Sequence, residues 1–125
     1  MKYVILFTSR PDLDAAVPAE RRAEVYQQIF QWFQDHDAEI SDGGAELQAP
    51  ATATTVKAAD DGGQPVVVDG PFSEAKESIG GFSIIDVPDL DAAIALARTW
   101  PSLAFPGVAV EIRPIVDHSG DMSGM

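Results

Sequence analysis

With 125 residues, the chain is long enough for one domain and short for two. Twenty acidic residues against eight basic ones give a formal net charge of −12. This charge disfavours nucleic acids and anionic membrane surfaces as partners, because both attract cationic proteins. The absence of cysteine excludes disulfides, thiolate zinc sites and cysteine nucleophiles. We expect a cytoplasmic globular protein, since 46% of the residues are apolar and no apolar run approaches the roughly 20 residues of a membrane span.

The first predicted strand covers residues 2–8 and is apolar on both faces. One face carries Tyr3, Ile5 and Phe7, and the other carries Val4 and Leu6. Because neither face becomes polar, this strand should lie in the centre of a sheet with both faces covered.

An amphipathic helix is predicted over residues 18–38, where apolar residues recur three and four positions apart. Pro18 suits its first turn. A short strand is predicted between Ile40 and Pro50. The apolar stripe of the helix consists of Val25, Tyr26, Ile29, Phe30, Trp32 and Phe33.

The rest of the chain predicts a hairpin, a strand, a helix and a final strand. The hairpin joins residues 52–58 to residues 65–69 through a glycine-containing turn, and a strand follows over residues 81–87. Asp89 should cap the next helix, and the last strand should run from Val108 to Pro114. The buried stripe of that helix is predicted to be Leu90, Ala93, Ile94, Ala97 and Trp100. We assign residues 1–116 to the domain and predict a flexible tail over residues 117–125.

Without the hairpin insert, the order of elements is βαββαβ, which predicts an α+β fold of the ferredoxin-like type. In this fold both helices cover the same face of an antiparallel sheet. The other face of the first strand would then leave apolar side chains in water. We therefore expect a homodimer stacked sheet on sheet, with a small-molecule site between the two faces.

The segment from Val67 to Phe82, which begins Val67-Val68-Asp69-Gly70-Pro71-Phe72, resembles the signature of the DGPF proteins, a branch of the YCII-related family. The likeness extends to residues 47–56, 85–93 and 110–114. The resemblance implies a dimeric α/β-barrel. It implies no defined activity, although relatives in the wider YCII group include enzymes acting on chlorinated aromatic ring products. Some members lie beside extracytoplasmic-function sigma factors.

Three positions depart from what the resemblance implies. Val17 stands where a polar helix cap is usual, and Ala75 stands where threonine is common. The wider group also resembles enzymes with a His–Asp pair whose histidine lies in the first helix. Here that helix has only His36, at its far end, so the pair is not carried over.

Asp69 is the first candidate for chemistry, because Gly70-Pro71 hold it at the end of a strand. A carboxylate facing an enclosed space there could act as a general base. The alternative is a turn role, in which Asp69 accepts hydrogen bonds from backbone amides that follow it. The ligand-binding residues predicted in this loop are Gly70, Pro71, Phe72, Lys76 and Glu77. The alternative for Lys76 and Glu77 is a pair of solvated surface charges.

Glu111 and Arg113 lie two positions apart on the last strand and therefore share a face. If the apolar residues of that strand pack beneath the helices, this pair points between the subunits. Arg113 could then stabilise negative charge that develops on a substrate, with Glu111 binding the same molecule. The alternative is a mutual or cross-strand salt bridge that fixes the dimer.

His36 is predicted to stabilise the end of the first helix, and we expect no metal and no cofactor, since the histidine spacing matches no ligand set. The first predicted function is binding of a small polar or aromatic molecule at the homodimer cleft. Asp69 and Arg113 could there carry out cofactor-independent proton abstraction or elimination. The alternative is a non-catalytic regulatory protein, linked to an extracytoplasmic-function sigma factor, whose acidic surface meets a basic partner.

Overall fold

A computed structural model describes residues 1–72 and 77–118. No helix in these two ranges is both long and apolar enough to cross a membrane. The helices and strands of the described residues, in chain order, are β1 (Lys2–Ser9), α1 (Pro11–Asp14), α2 (Ala19–Asp35), β2 (Ile40–Glu46), β3 (Thr54–Lys57), β4 (Val66–Asp69), β5 (Ser78–Asp86), α3 (Leu90–Ala97) and β6 (Ala109–Pro114).

The main sheet has four antiparallel strands in the order β2-β5-β1-β6. Counted without the hairpin, this is the strand order 2-3-1-4, which confirms the predicted α+β fold of the ferredoxin-like type. β3 and β4 form the separate two-stranded sheet of the hairpin insert, in which Thr54 pairs with Asp69 and Lys57 with Val66.

The hydrophobic core lies between one face of the main sheet and the helices α2 and α3. Tyr3 and Ile5 of β1 and Ile85 of β5 pack there with Trp32 of α2 and Leu96 of α3. Ile5 and Ile85 are fully buried. The core therefore covers the β1 face that carries the larger side chains.

The opposite face of the sheet is here called the uncovered face. Val4 and Leu6 point to it, because they alternate with the core residues of β1. Ile84 lies opposite Val4, and Phe82 lies opposite Leu6. All four side chains are half-buried in the single chain. An apolar patch therefore occupies the centre of this face.

Several boundaries differ from the sequence predictions. The short helix α1 was not predicted: Pro11 ends β1, but it also takes a first-turn position, where its missing N–H costs nothing. α2 is shorter than predicted, since Pro18 is its N-cap and His36 its C-cap. In α3 the predicted burial of Leu90 is wrong, because that side chain is 49% exposed and Leu96 is buried instead. Of the predicted tail, residues 119–125 lie outside the described residues.

The predicted cap of α3 is confirmed: Asp89 accepts a hydrogen bond from the Ala92 N–H at 2.9 Å. Asp89→Ala should therefore lower the free energy of unfolding by about 1 kcal/mol in urea denaturation. The control is Asp91→Ala, which removes a carboxylate from the same turn but leaves the cap, and should cost about 0.3 kcal/mol. Equal losses in the two variants would contradict a capping role.

Candidate functional site

Two glycine pairs lie in neighbouring strands of the main sheet, Gly43-Gly44 in β2 and Gly80-Gly81 in β5, where Gly81 pairs with Glu46. The pairing of β2 with β5 shifts register twice between Ile40 and Ala45, so β2 bulges at its glycines. Gly44 has a φ of 70°, and a Cβ there would lie 1.8 Å from the Phe82 carbonyl oxygen. Only glycine can occupy this position without moving β5.

Two polar side chains hold the bulge. Asp42 accepts a hydrogen bond from the Gly44 N–H at 2.8 Å. Ser83, which is fully buried, donates its hydroxyl to the Gly43 carbonyl oxygen at 2.8 Å. The backbone groups that the bulge releases from the ladder thus have partners, and its shape is fixed.

A cavity of about 770 Å³ lies between these glycines and α2, and we call it the helix-side cavity. The glycines place no side chains in the space between sheet and helix, which helps to keep it open. The aromatic residues that line it are Phe7, Tyr26, Phe30, Phe33, Phe82, Trp100 and Phe105. The polar residues that line it are Thr8, Ser9, Asp14, Arg22, Glu46 and Ser102.

The inner wall of the cavity is a stack of aromatic rings. Phe7 stacks on Trp100 with 3.9 Å between ring centroids and 21° between planes. Trp32 packs edge-on against Trp100 and donates its indole N–H to Thr99 at 2.7 Å. The tight stacking and the part-buried hydrogen bond favour a rigid wall.

Tyr26 and Phe30 form the mouth of the cavity. They belong to the apolar stripe predicted for α2, and they are 49% and 61% exposed. Their rings meet edge to face at 5.2 Å. The α2 stripe thus divides into core residues and residues that line the cavity.

Besides Tyr26, three ionisable residues line the cavity: Glu46, Asp14 and Arg22. The Tyr26 hydroxyl lies 3.5 Å from Glu46 Oε2, a long hydrogen bond. Among the described residues, no carboxylate lies within 4.0 Å of the Arg22 guanidinium, whereas Arg21 beside it pairs with Glu24 at 3.2 Å.

Asp69 lies at the end of β4, opposite Thr54, and is exposed. The turn after it is fixed, because the Gly70 N–H donates to the Ala53 carbonyl at 2.8 Å and Thr55 donates to the Gly70 carbonyl at 2.7 Å. Pro71 is also exposed. Phe72 is 85% exposed. The rigid turn predicted after this strand is present, in the hairpin insert.

Lys76 lies outside the described residues, and Glu77 is exposed. The pKa of the Arg10 guanidinium is raised mainly by its hydrogen bond and charge interaction with Asp12, and to a smaller extent by the charge of Glu77. The same hydrogen bond lowers the pKa of the Asp12 carboxyl. Glu77 therefore lies within electrostatic reach of the chain that follows β1.

Glu111 and Arg113 share the uncovered face, as their spacing predicts, and form an ion pair with each other. Both are exposed. The pair is the one contact that the structure forms between predicted site residues of the described chain. The helix-side cavity is lined by other residues, and its lining includes neither this pair nor Asp69.

His36 caps the end of α2, as predicted, and its ring lies 4.0 Å from the Glu39 carboxylate and 3.4 Å from the Thr99 hydroxyl. Within residues 1–72 and 77–118, no group of three or more histidine, aspartate or glutamate side chains is placed to hold a metal ion.

The sequence contained one signal for the cavity. Gly43-Gly44 and Gly80-Gly81 fall in strands that the βαββαβ order makes neighbours, so the sheet has little side-chain volume there. A helix that packs over such a patch leaves a space unless its own side chains are large enough to fill it.

The fold and the cavity define a ferredoxin-like α+β protein with a space between its sheet and first long helix. The chain belongs to the YCII-related family, whose domain matches residues 1–119. An uncharacterised protein of Rhizobium meliloti (strain 1021) is 40% identical over 53 residues, which cover 42% of this chain and 43% of that protein. The alignment thus spans less than half of either protein.

One similar solved structure is the 5-chloro-2-hydroxyhydroquinone dehydrochlorinase of Burkholderia phenoliruptrix AC1100, in complex with 2,5-dihydroxybenzoquinone. It is 18% identical to this chain, with a TM-score of 0.49. The alignment covers 96% of this chain and 97% of that one.

Gly44→Ala should destabilise the protein by about 2 kcal/mol or more, because a positive φ and a clash with the β5 backbone act together. The matched control is Gly43→Ala, since a Cβ at Gly43 meets nothing within 4 Å and its φ is not positive. That control should change the free energy of unfolding by about 0.5 kcal/mol or less. Similar losses in both variants, measured by urea denaturation, would show that the bulge does not fix the sheet.

Proposed function

We propose that this protein binds a small aromatic molecule in the helix-side cavity. The observation that carries the proposal is a space of about 770 Å³ whose lining combines seven aromatic residues with a smaller set of polar ones. Small-molecule sites have volumes of roughly 300–1,000 Å³ and combine apolar walls with a few polar groups that orient the ligand. The cavity has both properties.

The aromatic walls favour a ring as ligand. A ring that enters the cavity meets Phe7 and Trp100, which stack on each other. Offset stacking or edge-to-face contact with such rings contributes about 0.5–1.5 kcal/mol beyond the burial of apolar area. Since the wall need not reorganise, little of that gain is lost on binding.

The chemistry that we propose at this site is proton transfer without a cofactor. Glu46 is an acceptor for a proton from a phenolic O–H of the ligand, and the Tyr26 hydroxyl is a hydrogen-bond donor beside it. The O–H bond breaks, its electron pair stays on the ligand oxygen, and the proton moves to Glu46. Return of that proton to a ring carbon, or loss of a leaving group with its electron pair, completes an isomerisation or an elimination.

Asp69, with Arg113, is the alternative proposal for the catalytic pair. Both are exposed in the single chain, so they would act at a site completed by a partner subunit. Asp69 lies in the hairpin and Arg113 on the uncovered face. This alternative and Glu46 make opposite predictions for the same assay.

Exchange of the ring hydrogens of resorcinol with solvent deuterium, followed by proton NMR, tests the proposed chemistry. Glu46→Gln should slow protein-catalysed exchange by about a hundredfold or more, the usual contribution of a general base. Glu24→Gln is the control, because Glu24 lies on the same helix as Tyr26 but outside the cavity lining. A large loss in Asp69→Asn with no loss in Glu46→Gln would instead favour the hairpin carboxylate.

We also propose a homodimer that associates through the uncovered face. The support is the patch of Val4, Leu6, Phe82 and Ile84, which stay half-buried in one chain. Exposed apolar area costs about 25 cal/mol for each Å², so a second copy that covers the patch gains stability. Sheet-on-sheet packing with twofold symmetry brings the same patch from each subunit together.

Leu6→Glu should convert the dimer into single chains of 13.3 kDa in sedimentation velocity, because two charges would meet at the twofold contact. Ala23→Glu, on an exposed position of α2, is the matched control and should leave the dimer intact. Unchanged far-UV circular dichroism would show that Leu6→Glu still folds. A wild-type protein that sediments as a single chain at micromolar concentration would overturn the proposal.

The finer assignments made from the sequence remain proposals. We propose that the chain belongs to the DGPF branch of the family, on the strength of the run Asp69-Gly70-Pro71-Phe72 and the residues around it. The regulatory alternative, with a sigma-factor-linked partner, is supported by the net charge of −12 alone. Cytoplasmic location likewise stays a prediction.

A further inference from the structure

Arg22 differs from the other arginines near it. It lines the helix-side cavity, and no described carboxylate lies within 4.0 Å of its guanidinium. Arg21 pairs with Glu24 at 3.2 Å, and Arg10 pairs with Asp12 at 2.7 Å. Among the described residues that line this cavity, Arg22 is also the one basic residue.

The charge of the whole protein makes this position informative. A net charge of −12 repels an anion, and that repulsion is screened only beyond about 8 Å at physiological ionic strength. An anionic ligand therefore needs a local cation at its binding site. A neutral ring would need none, because the aromatic walls alone supply its contacts.

Resting on the proposed function, we infer that the ligand of the helix-side cavity is an aromatic ring with one anionic group, such as a carboxylate, that pairs with Arg22. The planar guanidinium can donate two parallel hydrogen bonds to a carboxylate, which fixes the orientation of the ring as well as its charge. The ring itself packs between the aromatic walls.

The carboxylates of the lining set the position of the anionic group. Asp14 and Glu46 also line the cavity, so the anion must lie on the Arg22 side and away from both. A hydroxyl elsewhere on the ring would then be free to donate to Glu46, the proposed proton acceptor. The rival ligand class is an aromatic amine, which Asp14 and Glu46 would attract and Arg22 would repel.

Three ring probes of similar shape and different charge separate these possibilities: 4-hydroxybenzoate, 4-hydroxybenzamide and 4-hydroxybenzylamine. Trp100 lines the cavity, so its fluorescence reports binding, and calorimetry gives an independent affinity. The wild-type protein should bind the benzoate about tenfold or more tightly than the benzamide, as expected for a hydrogen-bonded ion pair. Added salt should weaken binding of the benzoate and leave the benzamide unchanged.

Arg22→Gln should abolish the preference for the benzoate without reducing affinity for the benzamide, and Arg22→Lys should keep part of it. Arg21→Gln is the matched control, with one charge lost at the adjacent position outside the lining, and should retain the full preference. Equal affinity of the wild type for benzoate and benzamide would overturn the inference and leave the proposed function standing. Tighter binding of the benzylamine would overturn it in favour of an amine. Failure of all three probes to bind would overturn the proposed function and this inference together.

Discussion

The whole arrangement depends on one strand that is apolar on both faces. Tyr3 and Ile5 of β1 are almost completely buried under the helices, while Val4 and Leu6 on the other face are half-buried. A strand of this kind is stable only in the middle of a sheet, and β5 and β6 pair with it on either side. α2 and α3 both pack on the side of Tyr3, so neither of these helices covers the side of Leu6. The two faces of the sheet can therefore serve different purposes.

On the helix side of the sheet, the glycines of β2 and β5 leave a cavity where larger side chains would otherwise pack. A well-packed core would place large side chains beneath the first half of α2, but Gly43-Gly44 and Gly80-Gly81 place none. The consequence is visible in Phe30, an aromatic side chain that stays 61% exposed. The apolar surface that stays in water forgoes about 25 cal/mol of stabilisation for each Å² that burial would have gained. Local conflicts between sequence and stability are expected at functional sites, which is why our proposal places the ligand in this region rather than at the exposed hairpin.

The fold could be predicted from the sequence because two regular patterns and a few rules of connection determine it. The period of two in β1 and the period near 3.6 in α2 gave the element types, and the βαββαβ order left few ways to pair the strands.

The cavity could not be predicted in the same way. A helical stripe shows that Val25 and Tyr26 face inward, but not that Val25 meets packed side chains and Tyr26 meets empty space. That distinction depends on which strand lies beneath each turn of the helix. The described residues of the predicted site do not line this cavity, since Asp69 lies at the end of a strand in the hairpin and Glu111 and Arg113 lie on the uncovered face.

β5 links the two faces physically. The carbonyl oxygen of Phe82 lies so close to Gly44 that no side chain fits at position 44. Phe82 is also among the residues that line the cavity. The next residues of the same strand alternate between the two faces, because Ser83 supports the glycine bulge and Ile84 lies opposite Val4 on the uncovered face. A subunit packed on the uncovered face would thus contact β5, the strand that contributes to the lining of the helix-side cavity. By thermodynamic reciprocity, any effect of association on ligand affinity through β5 must equal the effect of the ligand on association. If the proposed dimer and the proposed ligand complex both form, β5 connects the two without a separate element.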